Sequence, residues 1–173
     1  SNSREEFEPY TRSDPAEVAR FSRDLITLGL LTPLPIEPGP TEPLKASEVW
    51  EMGWGARGEA INNALGANLP PNFPVIDRFL FGTATSIKSI NLTAGTYQSA
   101  RRLLWCINKY VDQVAAFDGA NVGIKVIKPI EITGRALNLA IPRGSATAEQ
   151  EVAIAAAKAR ANNLGVNLIV TPF

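Results

Sequence analysis

The sequence predicts an α/β (α+β) fold, a mixed β-sheet flanked by helices. Two observations predict it. Stretches with apolar residues at helical spacing alternate with short apolar runs of strand length. Glycine, proline and small polar residues separate them, giving the order α, linker, α, β, β, α, β, β, α, β, in which helices interleave with strands.

The chain has 173 residues, enough for one domain and an appendage. From Ser13 or Asp14, with Pro15 in the first turn, a helix is expected to Gly29, its stripe being Val18, Phe21, Leu25 and Leu28. Five prolines between Thr32 and Lys45 exclude helix and sheet interior, so an extended linker is expected. Residues 1–46 thus read as a helix and Pro-rich linker, and residues 47–173 as the main domain. A second helix is expected from Ser47 to Leu65, weakened by Gly53, Gly55 and Gly58. Val75–Phe81 and Thr85–Leu92 read as two strands turning at Gly82. A helix follows over 96–117, with Leu103, Leu104, Ile107, Val111 and Val114 as its repeat. Strands are expected over 122–132 and 136–143, with a turn at Thr133–Gly134. Thr147 caps an Ala-rich helix to Asn163, Gly165 stops it, and a terminal strand begins at Val166.

No apolar run approaches ~18 residues, so no membrane-spanning helix is expected, and no signal-type segment opens the sequence. The single cysteine, Cys106, lies in an apolar helical run and reads as core. The absence of histidine excludes Ser-His-Asp and Cys-His triads, His-pair ribonuclease mechanisms and most zinc sites. Chemistry must come from carboxylates, Lys, Arg, Ser/Thr or Tyr. Net charge is zero but uneven. Residues 1–76 carry 6 Lys/Arg against 11 Asp/Glu, and residues 77–173 carry 11 against 6. This fits either a polyanion partner for the basic part or complementarity between the two parts.

Asp77 interrupts an apolar strand, and a buried carboxylate needs a partner. Lys88 on the neighbouring strand is the obvious one. Ser86 and Lys88 share a strand face, with Ile87 on the other. An Asp followed by an x-Lys strand suits a metal-dependent phosphodiesterase, the Asp holding a cation and the Lys orienting water or neutralising phosphorane charge. A buried ion pair is the competing reading. Arg101, Arg102, Lys109, Lys125, Lys128 and Arg135 are candidate phosphate contacts. Tyr97 is either a base-stacking residue or a core aromatic, with Tyr110 a weaker stacking candidate.

Several short motifs occur in order: Glu48–Val49–Trp50, Arg57–Gly58 with Ala60–Ile61, Asn72–Phe73–Pro74, Ile76–Asp77, then Ala84–Thr85–Ser86–Ile87–Lys88–Ser89 and Thr96–Tyr97–Gln98. The series resembles the C-terminal toxin domains of CdiA contact-dependent growth inhibition proteins. In particular it resembles their tRNA-cleaving branch with a restriction-endonuclease-like, PD-(D/E)xK-type fold. The resemblance spans residues 47–173. It implies Asp77 as metal-binding carboxylate, Lys88 as catalytic lysine, and Ser86 where related nucleases carry an acid. The pattern R-G-x-x-x-E would place a glutamate where this chain has Asn62, and Glu59 lies three positions earlier on the same helix. Either Glu59 substitutes as a metal ligand, the enzyme is impaired, or Asn62 is an inactivating change.

The implied function is a tRNA-cleaving toxin using a divalent metal, Mg2+ being the expected ion. Attack by the RNA 2′-hydroxyl would dispense with metal. The alternatives are a DNase of the same fold and a non-catalytic nucleic-acid- or protein-binding domain. The implied partners are tRNA, a cognate immunity protein acidic on its facing surface, and a host factor such as an elongation factor. Such toxins are delivered from the cell surface and act in a neighbouring cell's cytoplasm.

Overall fold

The computed structural model describes residues 45–173; the first helix and the Pro-rich stretch expected from the sequence lie outside the described residues. The helix expected over 47–65 is two helices, α1 (Ala46–Val49) and α2 (Trp54–Ala64), and Lys45 rather than Ser47 precedes the first. Gly53 stands at the N-cap of α2, so the glycines that weaken the helical pattern mark a real break. Asp77 precedes a strand much shorter than expected, β1 (Arg78–Leu80). Val75 and Phe81 both have positive φ, which ends the extended run on either side. Gly82 makes the expected turn at φ 80°, and a Cβ there would also meet Thr133 Oγ1. The chain continues into β2 (Thr83–Ser89).

The helix expected over 96–117 begins as a 3-10 turn, Gly95–Gln98, before α3 (Ala100–Ala116). Ser99 caps α3, its Oγ accepting from Arg102 N. The strand expected over 122–132 is instead a hairpin, β3 (Ala120–Val122) and β4 (Lys125–Ile127), followed by a 3-10 turn at Pro129–Glu131. Pro129 removes a backbone donor and Gly123 takes φ 60°, so one continuous strand cannot form there. Then come β5 (Gly134–Ile141), α4 (Ala148–Asn163) and β6 (Val166–Pro172). Thr147 caps α4 as expected, exchanging hydrogen bonds with Gln150 through a capping box.

The main sheet has the order β1-β2-β5-β6, antiparallel between β1 and β2 and parallel elsewhere. Parallel neighbours need crossovers, and α3 and α4 supply them. Because both crossovers step the same way across the sheet, both helices lie on one face. There Leu103, Ile107, Val111 and Val114 of α3 and Ala153, Ile154 and Ala157 of α4 meet Leu137, Leu139 and Leu168. The opposite face packs Ile61 of α2 and Val49 against Ile87 and Ala140. A third apolar group, Leu69, Phe73, Ile76, Ala84, Phe117 and Ile127, closes the end where the sheet meets the hairpin.

Candidate functional site

β1 pairs with β2 only as far as Arg78 opposite Thr85, and among the described residues no strand pairs with the far part of β2 on that side. Asp77 stands where the two strands part. Its N–H donates to Thr85 O (2.9 Å), and its carboxylate Oδ2 accepts from Ile87 N (2.8 Å). A side chain thus continues the ladder that the backbone abandons, satisfying an edge N–H. The carbonyl of Asp77 accepts from Asn68 N (3.0 Å) and Leu69 N (3.1 Å). The loop after α2 is thereby clamped to the same corner.

β2 carries Ser86 and Lys88. In the parallel register Ser86 lies opposite Leu137 and Lys88 opposite Leu139. Both leucines belong to the core under α3 and α4, so Ser86 and Lys88 face that way. Ser86 is buried at 1% exposure. Lys88 is half-buried, its Nζ 5.3 Å from the centroid of the Tyr110 ring on α3. An ammonium over an aromatic face is attracted by the ring quadrupole, more strongly where water is partly excluded. Ile87, between them, faces α2.

α2 carries Glu59 and Asn62. Glu59 is half-buried, and Asn62 is 1% exposed. Asp77 and the Ser86-x-Lys88 strand are joined through β2, while α2 is fastened to the same corner from the other face. Glu59 and Asn62 thus sit on the helix that packs against the opposite face of the sheet from Ser86 and Lys88, and Asp77 stands at the edge, bonded to β2. Thr85, opposite Arg78 and fully buried, has an Oγ1 without a hydrogen-bond partner. Among the described residues no three His, Cys, Asp or Glu side chains cluster.

The remaining sequence candidates divide. Tyr97 is buried at 6% exposure, its hydroxyl 3.9 Å from Cys106 Sγ. Its ring belongs to the core and is not presented to a base. Arg135 Nε and Nη2 both donate to Phe117 O (3.1 and 2.9 Å), placing a cation at the C-terminal end of α3, where it opposes the helix dipole. Arg101, Arg102 and Lys109 are exposed on α3, and Lys125 and Lys128 are exposed on the hairpin side of the fold. Sequence reasoning did not single out Trp105, which adjoins Cys106 in the helix. Trp105 is 50% exposed, with Lys109 Nζ 4.9 Å from its ring centroid. A lysine four residues after the tryptophan was the signal that could have placed it on the surface.

No helix among the described residues is long and apolar enough to cross a membrane. A comparison with curated proteins finds no match. Among solved structures, the chain is similar to a chain of the CdiA-CT/CdiI toxin and immunity complex from Yersinia pseudotuberculosis. The TM-score is 0.56 and the identity 26%, covering 65% of this chain and 98% of that one. The family model of the CDI toxin restriction endonuclease-like domain matches residues 57–171, from the arginine that opens the R-G motif on α2 to the penultimate position of β6. With a mixed sheet flanked by helices and that match over most of its length, the chain belongs to the CDI toxin restriction endonuclease-like domain family.

Proposed function

We propose that this domain is a nuclease that hydrolyses phosphodiester bonds of nucleic acid in a target cell. The observation that carries the proposal is the fixed carboxylate of Asp77, held by Ile87 N at the open edge of the strand that also bears Ser86 and Lys88. Double-stranded DNA is the favoured substrate, because the matched family is restriction endonuclease-like. tRNA, implied by the motif series, is the second reading.

A divalent cation of the magnesium type suits the donor set. Such ions keep several waters and need only one or two carboxylates besides substrate phosphate. Asp77 is the carboxylate we assign to this role, with Glu59 and the Asn62 amide of α2 as the further oxygens that the motif series implies. The lack of histidine does not suit a zinc set. When bound, the cation would polarise the phosphate and acidify a water. The chain's own contribution is positional and electrostatic. The Ile87 N–H holds the Asp77 carboxylate in place. Lys88 brings a positive charge to the phosphorane as it develops. Ser86, buried beside the lysine, orients a phosphate oxygen or the attacking water when substrate closes over the edge.

The related structure is a toxin and immunity complex. A cognate immunity protein is accordingly proposed for this chain, covering the basic part. Delivery from a producing cell to the cytoplasm of a neighbour is proposed on the same family grounds.

The test is incubation of the purified chain with plasmid DNA and with total bacterial tRNA, in Mg2+ and in EDTA. Asp77→Ala and Lys88→Ala run beside it, and a further arm adds cell extract to supply any host factor such as an elongation factor. Cleavage by the parent that both variants lose supports the proposal, the cleaved polymer names the substrate, and EDTA sensitivity supports the cation. Intact DNA and tRNA in every arm would refute it.

A further inference from the structure

On the outer face of α3, Arg102, Trp105 and Lys109 recur at spacings of three and four, with Arg101 one turn before Trp105. All three cations are exposed, and the indole between them is half-exposed. The only acid in α3, Asp112, is paired with Arg160 of α4 at 2.7 Å. The exposed side chains of this face are thus three cations and one aromatic plane. From Arg101 to Lys109 the helix rises about 12 Å at 1.5 Å per residue. That matches the axial rise of three to four nucleotides of one duplex strand, about 3.4 Å each.

The face also leads to the candidate site. Tyr110 follows Lys109 on the flank of α3 turned towards β2, and its ring lies under the Lys88 ammonium. Two cation–ring pairs, Lys88 over Tyr110 and Lys109 over Trp105, thus lie on neighbouring flanks of α3. Other basic candidates do not join them. Arg135 is committed to Phe117 O, and Lys125 and Lys128 belong to the hairpin and the turn after it.

We propose that the outer face of α3 is the track on which the substrate's sugar–phosphate backbone lies. Arg101, Arg102 and Lys109 contact successive phosphates, and Trp105 packs against a base or sugar between them. The track delivers the scissile phosphate to Lys88. This rests on the nuclease reading and adds to it the path of the strand and the stacking residue. An acidic immunity protein that covers the same face would block substrate by occupying the track.

The test uses the full chain carrying Lys88→Ala, so that substrate is not consumed. Binding of fluorescein-labelled duplex DNA and of labelled tRNA is measured by anisotropy across a salt series. Replacing Arg101, Arg102 and Lys109 by Gln should lower the magnitude of the log K against log salt slope by about two to three on duplex DNA. Lys125→Gln with Lys128→Gln should leave the slope within about half a unit of the parent. Trp105→Leu should weaken binding about ten-fold where an unpaired base is offered, as in the loops of tRNA, and less on duplex DNA through the lost sugar contact, with the salt slope unchanged. Binding by the parent with the same slope in the triple variant, or the same affinity in Trp105→Leu, overturns the track and leaves the nuclease reading standing. No binding of either polymer by the parent overturns both.

Discussion

Asp77 has two separable duties, and two substitutions at the same position distinguish them. Asp77→Ala removes the acceptor at Ile87 N, on a stretch of β2 that has no β1 residue opposite it. A hydrogen bond to a charged group contributes about 1.5–3 kcal/mol. Asp77→Asn keeps an oxygen acceptor in the same place and gives up only the charge, so its cost should be about 1 kcal/mol or less. At about 2–4 °C per kcal/mol for a chain of this size, the alanine variant should melt about 3–12 °C below the parent and the asparagine variant within about 4 °C. Cleavage should behave differently, with both variants losing at least about a hundred-fold, because a neutral amide is a poor substitute for an anionic cation ligand. Thermal denaturation and a nuclease gel on the same preparations measure both effects. An Asp77→Asn variant that keeps more than half of parental cleavage would show that the carboxylate only staples the sheet. An alanine variant as stable as the parent would refute the contribution assigned to the Ile87 hydrogen bond.

Three further outcomes are expected. Lys88→Met keeps the aliphatic stem against α3 but removes the charge over Tyr110; cleavage should fall about 10²- to 10³-fold while urea stability changes by less than about 1 kcal/mol. Asn62→Glu should raise cleavage and sharpen its EDTA sensitivity by adding a carboxylate, at a cost of about 1–3 kcal/mol in urea because the position is 1% exposed. Gln150→Leu should cost about 3 kcal/mol by urea denaturation, since Gln150 Nε2 donates to Leu92 O and Tyr97 O and its Oε1 accepts from Thr147 N, leaving three groups without partners.

Local chemistry made some elements legible in the sequence. Thr147 and Gln150 announce the start of α4, Gly165 its end, and Gly82 the turn between β1 and β2. The failures came where tertiary contacts or a single backbone angle decided the outcome. Val75 looks like a strand residue but takes φ 66°, so β1 starts three residues later and Asp77 becomes a corner rather than a strand interior. Tyr97 reads equally as core or surface until the helix following it is placed. The candidate residues, Asp77 with Ser86-x-Lys88, were legible as residue types and spacing, and in the structure Asp77 bonds to Ile87 of that strand. Their surroundings were not legible. That Lys88 lies over Tyr110 depends on the register of β2 against β5 and on the crossover that lays α3 over them, and a linear pattern states neither.

Trp50 Nε1 donates to Phe173 O across 123 positions, and Phe173 N in turn donates to Ile141 O (2.8 Å). The central ladders are also remote in sequence, with Thr83 opposite Gly134 and Arg135 opposite Val166. Closing such loops must precede any gain from the contacts they allow, which slows refolding towards milliseconds to seconds. The contact between Trp50 and Phe173 needs β6 seated before α1 can dock. In a stopped-flow experiment the indole of Trp50 should therefore report the last phase of assembly. The corner at Asp77, already fastened by Ile87 and the loop after α2, would be in place before the domain closes behind it.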